Sequence, residues 1–289
     1  MKDDTSPPPN VLRIVPGHPP ELVVYDRTHD CPYLPERPAR LPLRLPARSL
    51  RADELDLRLA NGDRRQGPVL YRTNCPKCAA CVPLRIDVER FSFGRTHRRV
   101  LARGNSELSI DFGSPLVDER RVELYNRHKI ERGLGDADGA IDEAGYRAFL
   151  VDTCCDSFEM RLLHQGRLVA VSVLDRGFSS LSAVYCYYDP EFSHLSLGTF
   201  AILKELELCR AFGMRYLYLG LFVEGSKPML YKARFVPHQQ RRNGIWVTVE
   251  EPPSPDAVVP PRCLRPRPET GGYCAGADVA VDPDTELVR

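Results

Sequence analysis

Two overlapping C-x-x-C steps, Cys75-Pro-Lys-Cys78-Ala-Ala-Cys81, carry the residue types best suited to chemistry. Thiolates at this spacing converge on one metal ion or cluster, and Pro76 bends the turn between the first two. Three ligands leave one position to fill, and Cys31, at the head of a Pro-rich run, is the expected fourth. Zinc is the default occupant of an all-Cys set. An iron–sulfur cluster competes with it, since overlapping C-x-x-C steps also occur in ferredoxin-type ligation. Plain burial of reduced thiols is the third reading. The adjacent Cys154 and Cys155 serve one tetrahedral metal poorly, so burial is expected there, as it is for Cys186 and Cys209 on apolar faces. Between Arg85 and Arg103 six arginines face only Asp87 and Glu89. Arg95, Arg98, Arg99 and Arg103 fall at near-helical spacing, a patch that suits a phosphate backbone or a solvated helix face.

These residues sit in a chain of 289 with 40 basic and 39 acidic residues, net +1. That balance excludes a protein held wholly by charge to nucleic acid. The sum hides a gradient: residues 1–110 carry 19 basic and 13 acidic side chains, residues 111–250 carry 17 and 19, and the rest 4 and 7. A basic excess at one end is a cue for an anionic partner. A hydrophobic content of 43% supports a sizeable core. The start is acidic and Pro-rich without the apolar core of a signal peptide, and nothing approaches the roughly 20 apolar residues of a membrane helix. The expectation is a cytoplasmic protein whose ten cysteines are not a disulfide framework.

The elements that must position the site follow from periodicity and punctuation. Residues 1–20 read as a flexible arm, 21–112 as an N-terminal domain holding the cysteine knuckle, 113–250 as a second domain, and 251–289 as a disordered Pro-rich tail. The Pro-rich run from Pro32 to Pro46 reads as packed irregular loop, because proline lacks the donor an inner strand needs. Residues 69–72 and 82–88 read as short strands, and 117–134 and 143–152 as helices. Phe158–His164, Leu168–Asp175 and Leu181–Tyr188 form an antiparallel meander punctuated by Gly166 and Gly177. A strong helix follows over 197–212, with Ile202, Leu206 and Cys209 on one face and Gly213 after its end. Strands close the pattern at 215–221 and 244–249. Meander, loop, helix, strand is the core order of an α+β, acetyltransferase-like (GNAT-type) fold, a mixed sheet flanked by helices. There the loop before the helix, here His194-Leu-Ser196-Leu-Gly198-Thr199, offers backbone N–H groups to an anion or a carbonyl. Ser196 also reads as a plain N-cap.

Several stretches in order resemble the bacterial aminoacyl-tRNA–protein transferases. Cys31-Pro-Tyr-Leu-Pro-Glu-Arg37 and Leu70-Tyr-Arg72-Thr-Asn-Cys75 through Arg85 are similar to the N-terminal domain of that family. Ser182-Ala-Val-Tyr185-Cys-Tyr-Tyr-Asp189-Pro190, Ser196-Leu-Gly198-Thr199, Tyr216-Leu-Tyr-Leu-Gly220 and Met229-Leu-Tyr231-Lys232-Ala-Arg234-Phe235-Val-Pro-His238 are similar to its C-terminal domain. The family comprises the arginyl transferases and a bacterial branch that adds leucine to N-terminal Asp or Glu. The resemblance implies transfer of an amino acid, leucine favoured and arginine the near alternative, from aminoacyl-tRNA to an acidic protein N-terminus, creating a degradation signal.

That reaction sets requirements for the residues. The donor is an activated ester, so no cofactor is required and no GxxxxGKS loop is present. The amine attacks directly, so no side-chain nucleophile is required. An acceptor carboxylate wants a guanidinium or ammonium; Arg72, Arg37 and Arg40 are the candidates. Asp189 is the expected proton acceptor for the amine, with capping of the turn at Pro190 as its bland alternative, and Tyr185 is expected beside it. Tyr231, Lys232, Arg234 and His238 form a second basic cluster, in which Lys232 and Arg234 alternate as on a strand facing the tRNA end. Partners are aminoacyl-tRNA and acidic N-termini, with no membrane and no DNA. A non-catalytic zinc-knuckle RNA-binding protein explains the cysteines and arginines but not the ordered C-terminal motifs.

Overall fold

Two sheets built from non-adjacent stretches of chain organise the protein, seen in a computed structural model that describes residues 13–34, 37–133, 139–224 and 226–252. The expected tail from residue 253 on, with Cys263 and Cys274, lies outside the described residues, as do the first twelve of the expected arm.

The smaller sheet draws on β1 (Arg13–Val15), β2 (Glu21–Tyr25), β5 (Leu43–Pro46), β6 (Arg64–Gln66) and β7 (Val69–Tyr71), while β3 (Thr28–Asp30) and β4 (Pro38–Arg40) form a separate hairpin. Its order is β1-β2-β5-β7-β6, all antiparallel. Two expectations are corrected here. Residues 13–15 of the supposed arm pair with β2. The Pro-rich run is not all loop: β5 lies inside the sheet, between β2 and β7. The prolines permit this because they fall at the strand's edges, Pro42 before it and Pro46 as its last residue, leaving Leu43-Arg44-Leu45 free to donate. Helix α1 (Ala52–Ala60) packs Leu55 and Leu59 beneath this sheet with Leu50 and Leu70.

The larger sheet has eight strands: β8 (Cys81–Asp87), β9 (Leu108–Gly113), β10 (Ser157–His164), β11 (Arg167–Arg176), β12 (Ser180–Tyr188), β13 (Tyr216–Val223), β14 (His238–Arg242) and β15 (Ile245–Val249). Their order is β15-β14-β8-β13-β12-β11-β10-β9. The meander β10-β11-β12 is antiparallel as expected, and β12 and β13 pair in parallel. The division expected at residue 112 is crossed by this sheet, since β8, an inner strand, precedes it and β9 spans it. Pro83 lies inside β8 opposite Leu221 of β13, while β14 pairs only with Leu84 and Arg85.

Helices cover both faces. On one, α5 (Leu197–Ala211) buries Phe200, Leu203 and Leu206 against Leu174, Leu181 and Leu217, and α2 (Arg95–Glu107) lies over it. The helices approach closely at Gly104, where a Cβ would stand 2.3 Å from the Phe200 ring. On the other face, α3 (Glu119–Glu131) and α4 (Glu143–Tyr146) bury Leu124, Tyr125 and Tyr146 against Val171, Val173 and Tyr187. Each such side chain contributes roughly 1.5–3 kcal/mol when fully buried. The two sheets are tied by Arg65 of β6, whose Nε donates to Asp175 Oδ2 of β11 at 2.8 Å with both side chains 1% exposed.

Candidate functional site

The parallel pairing of β12 and β13 runs only from Ser180 opposite Tyr216 to Ser182 opposite Tyr218, and then the strands part. The cause lies in β13. Its register with β8 shifts between Tyr218 and Gly220, and Gly220 adopts φ +84°, a conformation open to glycine and strained for other residues. Beyond that bulge each strand presents a backbone carbonyl to a cation. Arg64 of β6 donates Nη2 to Ala183 O at 3.0 Å, and Ala183 is the first β12 residue past the parallel pairing. Lys232 donates Nζ to Leu221 O at 2.8 Å, on the β13 side.

The two cations face a common space. A Cβ built on Gly220 would stand 3.3 Å from Arg64 Nη2 and 3.5 Å from Lys232 Nζ. The nitrogens are therefore no more than about 7 Å apart, where like charges cost each other roughly 2 kcal/mol at an effective dielectric of about 20. Asp175, a carboxylate that acts on Arg64, is already bound by Arg65. Arg64 is 6% exposed. Burial, and then the charge of Arg64, bring the Lys232 ammonium down to about 7.

Other elements form the walls. Tyr188 closes one side, near enough to α5 that a Cβ on Gly198 would meet its ring at 3.2 Å. Tyr231, half exposed, stands by Cys186 and Tyr188. Ser196 is exposed at φ 54° and makes no side-chain cap, which corrects the N-cap expectation. It forms a left-handed corner between the short helix Pro190–Leu195 and α5. The first N–H groups of α5, at Leu197, Gly198 and Thr199, thus have no partner within the helix. Tyr185 sits on the opposite face of β12, packed on Tyr125 and Phe149 with ring centroids 5.5 Å from each. Burial raises its hydroxyl well above the ordinary value. It lies within electrostatic reach of Tyr33, and so do Tyr71, Cys31 and Cys81, so the knuckle borders this region.

The four knuckle cysteines are free and half-buried. Cys75 Sγ accepts from Arg40 N at 3.4 Å, and burial pushes the Cys81 thiol up to about 12. Among the described residues, no three His, Cys, Asp or Glu side chains form a group ready to hold a metal ion. Cys75, Cys31 and Cys78 all lie within electrostatic reach of Cys81.

Several expected site residues are engaged elsewhere. Arg72 donates Nε to Asp63 at 3.0 Å, and Asp63 also takes Arg44 Nη2 at 2.6 Å. Arg40 is forked on Asp26 at 2.7 and 2.8 Å. The Arg37 carbonyl accepts from Cys31 N at 3.0 Å beside the β3–β4 hairpin. Asp189 is fully buried, with Arg167 at 2.8 Å, Arg127 at 3.2 Å and Arg120 at 3.4 Å, and it accepts from Glu191 N at 3.2 Å. Its oxygens are committed to that network and to capping the turn. Residues 227–234 form a 3-10 helix, so Lys232 and Arg234 do not share a strand face; Lys232 turns inward and Arg234 is exposed. His238 is 1% exposed, with Nδ1 3.2 Å from Phe235 O and Nε2 3.0 Å from Gln240 Nε2, an interior position. Of the expected cluster, the structure brings Lys232, Tyr231 and Gly198 to the parting strands. Sequence reasoning missed Arg64 and the role of Gly220. The signal was present: Arg64-Arg65 on a strand must face opposite ways, and a Gly ending Tyr216-Leu-Tyr-Leu-Gly220 marks a bulge.

Comparison with known proteins places these residues in a family. Residues 29–99 match the family described as "Arginine-tRNA-protein transferase, N terminus", and residues 120–242 match "Arginine-tRNA-protein transferase, C terminus". The aspartate/glutamate leucyltransferase of Halorhodospira halophila is 38% identical over 213 residues, 73% of this chain and 90% of that protein. Those of Chromobacterium violaceum and Marinobacter nauticus are 34% and 36% identical, covering 77% and 75% of this chain and 92% of each relative. Among solved structures, FemX superimposes with a TM-score of 0.39 at 9% identity over 63% of each chain.

Proposed function

The chain belongs to the arginine-tRNA-protein transferase family, and from that membership we propose that it moves leucine from charged tRNA to the α-amine of proteins beginning with Asp or Glu. The product is a protein extended by one residue, which then serves as a degradation signal. The family contains relatives named for this activity at 34–38% identity over most of their length. The observation that carries the reading in this chain is the parting of β12 and β13 in front of the free N–H donors of α5.

In that opening an aminoacyl ester and an amine can be held together. Holding two reactants in attacking geometry supplies several kcal/mol of the barrier. Backbone N–H groups at a helix start stabilise the oxyanion that forms as the amine attacks the ester carbonyl. The tRNA 3′ hydroxyl leaves, so no nucleophilic side chain, nucleotide or cofactor is needed. For the tRNA body, α2 presents Arg95, Arg98, Arg99 and Arg103 to solvent. Arg103 donates Nη1 to His194 O at 3.0 Å, which joins this basic face to the loop before α5. No helix among the described residues is long and apolar enough to cross a membrane, and a tRNA-dependent reaction belongs in the cytoplasm.

The test is direct. Purified protein is given leucyl-tRNA or arginyl-tRNA in separate reactions, with peptides beginning with Asp, Glu or Ala. Transfer from leucyl-tRNA to the acidic peptides alone is the expected result; transfer from arginyl-tRNA moves the assignment to arginine, and no transfer from either removes it. Metal analysis of the same preparation against Cys78→Ser reads out zinc or iron at the knuckle independently.

A further inference from the structure

We infer that Arg64 and Lys232, meeting across Gly220 where β12 and β13 part, receive the side-chain carboxylate of the acceptor's N-terminal Asp or Glu. This rests on the transfer reading above for the identity of the anion and assigns the residues that select it.

Three observations lead there. The first is a charge imbalance. Two cationic groups lie beside one space and bond, in the folded protein, to neutral carbonyls, Ala183 O and Leu221 O. Buried charges are normally paired, and the arginines around them follow that rule: Arg65 has Asp175, Arg44 has Glu21 and Asp63, and Arg72 has Asp63. The second is the space itself. Both nitrogens converge on the Cα of Gly220, where a Cβ would stand 3.3 Å from Arg64 Nη2 and 3.5 Å from Lys232 Nζ, so any other residue would crowd the approach to both. The third is donor capacity. Arg64 has N–H groups beyond the one given to Ala183, and the Lys232 ammonium has two beyond the one given to Leu221, so a carboxylate can bond to both without breaking either contact.

A carboxylate fits better than a tRNA phosphate. Arg64 is 6% exposed and Lys232 only partly exposed, whereas the exposed arginines of α2 offer the continuous surface a polynucleotide backbone follows. With the carboxylate between the two cations, the acceptor's α-amine is held only a few bonds away. An amide in place of the carboxylate has no charge to offer, which gives selectivity for Asp over Asn by the penalty of leaving both cations unmatched.

The test compares wild type with Lys232→Met, similar in shape and uncharged, and Lys232→Arg, which keeps the charge. Three readings are taken: leucine transfer to peptides differing only in an N-terminal Asp or Asn, direct calorimetric binding of the same peptides, and the Kd for leucyl-tRNA. Thermal melting confirms that each variant is folded. The expected result is that Lys232→Met raises KM for the Asp peptide at least tenfold, brings the Asp-to-Asn ratio close to one, leaves the leucyl-tRNA Kd within twofold, and is rescued at least in part by Lys232→Arg. An unchanged Asp-to-Asn ratio overturns the proposal. So does an equal loss on all peptides accompanied by weaker tRNA binding, which assigns the cradle to a phosphate. If wild type transfers nothing, the transfer reading fails separately. Calorimetry then still decides, because a wild type that binds the Asp and Asn peptides alike refutes the cradle.

Discussion

Asp189 shows how a residue's type can be legible while its partners are not. A carboxylate before Pro190 at a strand end is visible in the sequence as an acid–base candidate or as a cap. Which it is depends on Arg120 and Arg127 of α3 and Arg167 of β11, whose approach no local pattern announces. Removing one charge from such a network leaves the others uncompensated. Asp189→Asn is therefore expected to cost about 3 kcal/mol in urea unfolding while the folded fraction keeps kcat within about twofold at saturating peptide. A hundredfold loss of kcat in a folded variant would restore Asp189 as the proton acceptor. His128 of α3 is a core residue of another kind. It is 4% exposed, with Nδ1 3.1 Å from Tyr188 O, and burial lowers it to about 4, so it stays neutral in the core.

At the scale of elements, the strong signals held where packing agreed with periodicity. The meander and α5 lie within one residue of their expected bounds, and α3 within three. The misses have physical causes. β5 was hidden by prolines that sit only at its edges. β14 was hidden because Gln239-Gln240-Arg241-Arg242 has no apolar alternation. The helical turn at 227–234 looked like a strand because its cations alternate. Two predictions belong here. Gly220→Ala forces a side chain into left-handed backbone and into the cradle, and should lower stability by about 1–3 kcal/mol with a further drop in use of acidic peptides that melting does not track. Glu205 of α5 is 1% exposed, its Oε1 accepting from Ser172 Oγ at 2.6 Å and its Oε2 unpartnered. Burial raises it from 4.5 to about 7 despite the Ser172 bond. A carboxyl held more protonated in the folded state than in the unfolded one stabilises fully below pH 4.5, and that contribution is lost as pH rises through about 7. Glu205→Gln should remove up to about 3 kcal/mol of the difference in unfolding free energy between pH 5 and pH 8; an unchanged difference would show that Glu205 does not titrate there.

For the whole molecule, the near-neutral charge proved to be an average over unlike regions. The basic excess of the first part resolves into ion-paired arginines that bind the sheets together, Arg64 on the Ala183 carbonyl, and an exposed set on α2. Arg95→Ala and Arg99→Ala should each weaken tRNA binding alike for all tRNAs and reduce the slope of log K against log salt by about one. An unchanged slope would place the tRNA on another surface. The family's colinear motifs made the chemistry legible from sequence, but not the site's floor. That floor is assembled by β6 from one end of the chain and by β13 and the 3-10 turn from the other.

The inner position of β8 has a consequence for how the chain can be made. Both of its neighbours, β13 and β14, lie more than a hundred residues downstream (from Tyr216 and His238), so a nascent chain that has delivered β8 must hold it unpaired until nearly all the described residues have left the ribosome. Synthesis cannot finish one half and then the other. A gene cut after residue 112 should give two fragments that are each insoluble alone, because each exposes strand edges the other covers, yet soluble when produced together. A soluble, cooperatively melting fragment 113–252 on its own would show that the sheet closes without β8.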